Sequence, residues 1–512
     1  MHDSKRSIDL SRDLTCEDIV RISLDRASYE IRLSKDVLEY LKRVREEFDK
    51  YINRGGSCYG VTTGLGGQVY VELREKIDPL IILKQHATGV GDFLPREFVR
   101  GAMIILAKQL SLGFSAVNPD LILLLIEMIN RNITPLIPRY GSLGASGDLA
   151  PMSYIGLSLY GEGIVESDGK IDLSSRIFSE YGLRPLTPHI KDALSVINNT
   201  AMSSSIACHA IILAKLLLTS LIITSAISLE VMATPREHLS EEIVNAKRHK
   251  GSRIVSKILR ELLADSSVKP QGMLQDRYSF RTIPQVLGAF YDTLVFSKTL
   301  VEREINSSSD NPIFIDGKCW SGGNFYGVYI TVSIESLAQS VVQPLIQADR
   351  RIFTILDPKL SRGLPSFLTR EGDVGLMITQ YTTSALLNRI STLIYPSIMF
   401  TTPTSASQED HTSNSYNASL KTYEIVDLGL YIAAIEYLVS SYALKYREWS
   451  DRVSSRVQYY ANKIKDLIDK LYDKPLDHVI RTARERLLEL ASEEIEKIDR
   501  ELTEGYGALE GY

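Results

Sequence analysis

Between Tyr140 and Tyr154 the chain reads Tyr-Gly-Ser-Leu-Gly-Ala-Ser-Gly-Asp-Leu-Ala-Pro-Met-Ser-Tyr. Three consecutive small residues within it, Ala145, Ser146 and Gly147, can together do chemistry that no single side chain can. Gly147 has no Cβ, so its amide nitrogen can fold back onto the carbonyl carbon of Ala145 and close a five-membered ring at a strained turn. Loss of one water at the ring and of a second from the Ser146 side chain leaves an exocyclic methylene carbon conjugated to a carbonyl. Such a carbon is an electrophile. Helix N-termini aimed at the ring oxygen would stabilise charge gathering there, and the sequence predicts a helix opening at Asp148 with Pro151 in its first turn.

Two plainer readings use the same residues. Ser-Gly-Asp is a common way to start a helix, with the triplet serving only as a cap. The Gly-x-Ser-x-Gly elbow of serine hydrolases needs glycine where Asp148 stands, which disfavours a hydrolase. The uninterrupted run from Gly144 to Pro151 resembles the self-processing loop of the aromatic amino acid ammonia-lyases and the related 2,3-aminomutases. In those enzymes an Ala-Ser-Gly triplet becomes 4-methylidene-imidazol-5-one (MIO). The resemblance implies that Ala145, Ser146 and Gly147 form this group, with no metal and no diffusible cofactor.

Other segments agree in motif order over roughly residues 20 to 440. Cys58-Tyr-Gly-Val-Thr-Thr-Gly-Leu-Gly-Gly67 lacks the Lys-Ser/Thr of a phosphate-binding loop. It resembles the family's Tyr-Gly-x-x-Thr-Gly-x-Gly loop, which implies that Tyr59 is the catalytic base. A phenol serves as a base when nearby donors or positive dipoles lower its pKa; the plain alternative is a tyrosine packed on a turn. Leu194-Ser-Val-Ile-Asn-Asn-Thr200 resembles the segment whose Asn holds the prosthetic ring, a part that falls to Asn198. Asn199 stands in place of the usual Gly, and Asn also enters left-handed backbone. In Gln275-Asp-Arg-Tyr-Ser-Phe-Arg281, the resemblance gives Arg281 the substrate carboxylate and Tyr278 the support of the electrophile. The planar guanidinium suits a carboxylate well. Phe325 is expected beside the ring.

Two positions point to an imidazole substrate. Gln85-His86 looks more like the Ser-His of histidine ammonia-lyases than the pairs of the phenylalanine and tyrosine enzymes, although a His at a helix end is commonly a cap or a packed ring. Glu409, in Ser-Ala-Ser-Gln-Glu-Asp-His411, stands where those other enzymes tend to carry an amide, and a carboxylate can hold a ring N–H. Glu409, Asp410 and His411 could also be a solvated charge run; with no second ligand group at fitting spacing, a metal is disfavoured. Against histidine stand Tyr154, Tyr326, Arg389, Tyr395 and Asn414, each a departure from the histidine-enzyme pattern.

Composition is consistent with a small-molecule enzyme. The 512 residues are 44% hydrophobic and 24% charged, enough for a large core, and a net charge of -5 gives no basic excess for nucleic acid or anionic lipid. Cys16, Cys58, Cys208 and Cys319 are far apart and lack zinc spacing, which predicts free thiols in a reducing compartment. The N-terminus, Met-His-Asp-Ser-Lys-Arg, leads into polar sequence, and a cytoplasmic location is expected.

Helical spacing runs from about 16 to 50 until Gly55-Gly56, again from Pro119 to Asn132, from Val286 to Glu304, and beyond Tyr416. Pro344 should kink its helix and Pro475 should mark a boundary. The apolar run Ser203–Met232 reads as a buried bundle helix, because Lys215 and Glu230 bracket an uncharged core shorter than the ~18 residues of a membrane span. The fold class expected is mainly α, a long-helix bundle of the ammonia-lyase or fumarase-like type. Residues 1–200 would carry the MIO loop, and residues 201–512 the central bundle and C-terminal helices. The resemblance implies a homotetramer whose loops converge from several subunits, acting on a small amino acid, with no nucleic-acid or membrane partner. The reaction it implies is elimination of ammonia from L-histidine to urocanate. The alternatives are tyrosine or phenylalanine as substrate, a 2,3-aminomutase, or an inactive helical scaffold, which the complete residue set disfavours.

Overall fold

The computed structural model describes residues 6–25, 27–72, 78–271, 274–369 and 372–506, the side chains of 496–506 excepted. Most of the N-terminal hexapeptide read above therefore lies outside the described residues. The protein is predominantly helical, and the described strands form only two- and three-stranded patches. The chain folds as two compact units, neither continuous in sequence. One comprises residues 1–212, 298–335 and 396–421; the other comprises 213–297, 336–395 and 422–512.

In the first unit the expected helical run from 16 to 50 is broken. Helix Cys16–Leu24 opens with a capping box between Thr15 and Asp18, and helix Lys35–Asn53 starts on a Ser34 cap. Between them Tyr29–Arg32 is a strand paired in parallel with Arg6–Asp9. Its hydrogen bonds come from a segment more than a helix length away in sequence, which local periodicity does not report. Helix Pro119–Asn130 begins on an Asn118 side-chain cap with Pro at its first position.

A short hairpin, Ile313–Ile315 with Lys318–Trp320, turns on Asp316 and Gly317, both at positive φ. Phe314 fixes it: its N–H donates to Phe114 O at 2.7 Å, and its ring meets Phe48 edge-on at 5.5 Å. This hairpin brings Cys319 to Cys58, and the two form a disulfide with Cα atoms 5.5 Å apart. The expectation of four free thiols is corrected to two, the buried Cys16 and Cys208. A pair separated by 261 residues leaves no spacing signature.

The second unit is built on helix–helix packing. Gly429 lets Leu217 and Leu345 approach so closely that a Cβ there would sit 3.0 Å from both side chains. At its centre Arg351 and Glu436, 1% and 0% exposed, form a bidentate pair at 2.5 and 2.9 Å. Thr224 and Ser228 donate to the same carboxylate, both at 2.8 Å. The third guanidinium donor reaches Ser279 O at 3.0 Å, and Gln347 donates to Thr282 Oγ1 at 2.6 Å, so the pair fixes the short helix Tyr278–Arg281. Pro344 lies inside helix Val328–Leu356, which continues beyond it, and helix Leu476–Tyr506 starts directly after Pro475.

Two helical stretches, Ile190–Val231 and Ser415–Leu444, are long and apolar enough to cross a membrane; 83% and 78% of their most apolar windows are buried inside the protein, as expected of bundle helices.

Glu436→Ala should leave Arg351 as an uncompensated buried charge and cost about 3–5 kcal/mol, whereas replacing both residues by apolar ones of similar volume should cost much less. Denaturant midpoints of the two variants check this.

Candidate active site

At the triplet the backbone doubles back. Ala145 and Gly147 pair with one another across Ser146, and Gly147 has φ +74°. A Cβ on Gly147 would lie 2.4 Å from Asn199 O, so only glycine fits. Helix Ile190–Ile197 ends here, and its C-cap Asn198 donates from Nδ2 to Ser146 O at 2.7 Å and to the Ser146 hydroxyl at 3.0 Å. Asn198 Oδ1 is buried with no partner among the described residues. Asn199 is not left-handed, contrary to expectation. Its side chain instead bridges two helix ends, donating to Ser195 O and Val196 O at 3.1 and 2.7 Å and accepting from Ala201 N–H at 3.0 Å.

Asp148 precedes helix Leu149–Leu159 as expected but does not cap it. Its N–H donates to Asn199 O at 2.7 Å. Its carboxylate accepts from the Ser203 N–H at 2.7 Å and from the Ser203 hydroxyl, in the first turn of helix Ala201–Val231. The side chain is fully buried, and burial pushes its pKa up to about 7 against the Ser203 hydrogen bonds.

The segment from Thr404 to Ser415 is tied to this turn. Ser413 donates to Gly144 O at 2.8 Å, Asn414 N–H to Leu143 O at 2.9 Å, and Ser415 Oγ lies 3.1 Å from Ser203 Oγ. Asn414 has φ +56°, a conformation that suits asparagine better than most residues, and its amide donates to Phe400 O. Gly327 packs on Ser415, where a Cβ would meet the hydroxyl at 2.6 Å. This brings the half-buried Phe325 and Tyr326 to the same segment, and the Tyr326 hydroxyl is hydrogen-bonded to His411 Nδ1.

Tyr59 and Glu409 lie on touching loops. Tyr59 Oη accepts from Gly66 N–H at 2.7 Å, and Gly67 N–H donates to Ser405 Oγ at 3.0 Å. Glu409 Oε2 accepts from Thr404 at 2.7 Å. Burial raises the Tyr59 pKa and the Glu409 charge adds to it, against the Gly66 donor. Within the single chain, then, the phenol is not lowered as a base requires. His86 closes helix Pro79–His86, half-buried, with Nδ1 2.7 Å from Ile82 O; a neutral ring donating there leaves Nε2 to accept. Tyr154 holds the following turn by accepting from Gly89 N–H at 3.1 Å.

In the second unit Tyr278 is 71% exposed, and the Arg281 guanidinium stands over its ring at 5.0 Å. Arg281 lines a cavity of about 330 Å³ with Gln275, Asp276 and His238. His238 was missed in the sequence reading: its Nε2 is buried without a partner among the described residues, and burial first, opposed by Asp276, lowers its pKa to about 4. No group of three or more metal-ligating side chains is found among the described residues.

Residues 14–466 match the family described as aromatic amino acid lyase. The chain belongs to that family. This carbon–nitrogen lyase is 37% identical over 487 residues to a probable histidine ammonia-lyase of Thermoplasma acidophilum, covering 93% of this chain and 97% of the relative. It is 33% identical over 480 residues to a histidine ammonia-lyase of Deinococcus radiodurans, covering 91% of each. Among solved structures, the tyrosine aminomutase from Streptomyces globisporus superposes with a TM-score of 0.89 at 26% identity over 97% of this chain and 99% of the other. The lyase has the all-α, fumarase-like fold of this group.

Asp148→Asn removes a carboxyl whose folded pKa, about 7, lies above the ordinary 3.8. The stability such a group contributes is complete below about pH 4 and is lost as pH rises to about 7, a span of roughly 4 kcal/mol. Relative to wild type, the variant should therefore gain in melting temperature between about pH 4 and pH 8. A gap that stays constant with pH contradicts the buried, raised carboxyl.

Proposed function

We propose that the lyase eliminates ammonia from L-histidine to give trans-urocanate, using MIO formed from Ala145, Ser146 and Gly147. The observation that carries the reading is the Asn198 side chain clamped on Ser146 where Gly147 is pressed against Asn199. The residues present fit the group: the turn brings Ala145 and Gly147 together, Asn198 supplies a donor at Ser146 O, and no bulkier residue fits at Gly147. When formed, the group supplies an electrophilic methylene carbon that assists departure of the amino group.

The chain's own residues do the rest. Tyr59 takes the β-proton, Arg281 fixes the substrate carboxylate with its fork of donors, and Tyr278 and Asn198 hold the reacting region. Phe325 packs beside it. His86 and Glu409 receive the imidazole, and Glu409 already shares a hydrogen bond with Thr404 that orients its carboxylate. A homotetramer, its loops converging from several subunits, is part of the same proposal. Assembly of that kind brings additional donors or cations to lower the Tyr59 pKa. The cytoplasmic location loses the support of four free thiols with the Cys58–Cys319 bond.

Tyrosine or phenylalanine turnover, as a lyase or a 2,3-aminomutase, is the second reading, favoured by the likeness to a tyrosine aminomutase. The side chains of Tyr154, Tyr326 and Asn414 are hydrogen-bonded to Gly89, His411 and Phe400, just as those of His86 and Glu409 are to Ile82 and Thr404.

Turnover of the three amino acids, followed by absorbance of the unsaturated product, should give the highest kcat/KM for histidine. Tyr59→Phe should cut kcat by roughly 10²–10⁴-fold. Glu409→Gln should harm histidine turnover most and, by removing a charge that raises the Tyr59 pKa, should move the acid limb of any residual kcat profile to lower pH. A preference of wild type for tyrosine or phenylalanine contradicts the assignment.

A further inference from the structure

Cys58 immediately precedes Tyr59, and it is the pivot of the turn that carries the phenol. Its carbonyl accepts from Val61 and Thr62 N–H at 3.1 and 2.9 Å, and its own N–H donates to Thr62 Oγ1 at 2.9 Å. Just before it, the Tyr51 hydroxyl donates to Ser57 O at 2.8 Å. The bonds between Cys58 and Val61 or Thr62 shape the turn itself, while Tyr51 ties it to helix Lys35–Asn53, Gly67 ties it to Ser405, and Val61 packs against the core. One further link is covalent and acts at the residue next to Tyr59: Cys58, 1% exposed beside Phe48, Ala116 and Phe314, is joined to Cys319. Their Cα separation of 5.5 Å lies in the middle of the range that disulfides adopt.

The other end of the link is equally placed. Cys319 sits on the hairpin strand Lys318–Trp320, which is held by the Phe314–Phe114 hydrogen bond and the Phe48–Phe314 contact. Six residues further on is Phe325. One bond thus connects the Tyr59 loop to the start of the Phe325 loop.

We propose that the Cys58–Cys319 disulfide is a positioning element for Tyr59, so that full activity belongs to the oxidised enzyme. The inference rests on Tyr59 being the base. The bond forms as the two thiols give up two protons and two electrons to a low-molecular-weight disulfide, which leaves as two thiols. Once closed, it holds the loop against the hairpin; when open, the turn keeps its local bonds but its position is less constrained. A displacement of about 1 Å at a reacting group can cost as much as ~10²-fold in rate. Cys58 and Cys319 touch no reacting atom, so the effect belongs in kcat and in the order of the loop, with KM little changed.

Alkylation of the denatured, unreduced protein should modify two cysteines, Cys16 and Cys208, and all four after reduction; four modified thiols without reduction in fully active enzyme overturn the proposal. A thiol reductant would itself attack the electrophile, so Cys319→Ser supplies the open state for kinetics, with Cys319→Ala as a second variant should the first fail to fold. Either should lower kcat for histidine about 10-fold or more with KM within about 2-fold, and should speed hydrogen exchange at Gly66, whose N–H is bonded to the Tyr59 hydroxyl. Phosphine-reduced wild type should show the same faster exchange. Unchanged kcat, or unchanged Gly66 exchange on opening the bond, overturns the positioning role. If histidine is not the substrate, the thiol count and the Gly66 exchange still decide the inference independently of turnover.

Discussion

The structure around the triplet depends on one buried carboxylate. Asp148 sits between two helices, at the start of Leu149–Leu159, yet gives its oxygens to Ser203 in the first turn of Ala201–Val231. Burial disfavours its charged form and raises the pKa to about 7, and the donors of a helix N-terminus oppose part of that cost. With its N–H bonded to Asn199 as well, Asp148 draws the chain before it against Asn198 and Asn199. Gly147 is then forced into left-handed backbone under a carbonyl that excludes any side chain. Asp148 and Gly147 thus meet the same residue, Asn199, at the turn.

Much of this was legible in the sequence because the signals were local. The helices around Pro119, Val286 and Pro475 rest on short-range spacing, and the resemblance that picked out the triplet also picked out Asn198, which the structure bonds to Ser146. What was not legible depends on distant partners. Asp148 read as an ordinary helix start because its capping target lies 55 residues on. Asn199 was explained by a left-handed backbone it does not adopt; it is kept by amide bonds that bridge two helices. The strand Tyr29–Arg32 and the Cys58–Cys319 bond need partners that no local window contains.

The electrostatics around Tyr59 run against the role proposed for it. Burial and Glu409 both push the Tyr59 phenol in the direction that weakens it as a base, with the Gly66 N–H opposing them. The imbalance is understandable if Glu409 serves the substrate ring and the compensating positive groups arrive with assembly. Tyr154, Tyr326 and Asn414, which set this chain apart from the histidine-enzyme pattern, each hold a neighbouring backbone or side-chain group.

Covalent self-processing of Ala145-Ser146-Gly147 changes the mass of the peptide that spans it, which mass spectrometry reads. Ring closure and Ser146 dehydration each expel one water, so the peptide from active enzyme should be two waters lighter than its sequence, and Ser146→Ala should recover one of them with most activity lost. A peptide of full sequence mass from enzyme with undiminished turnover would contradict the account.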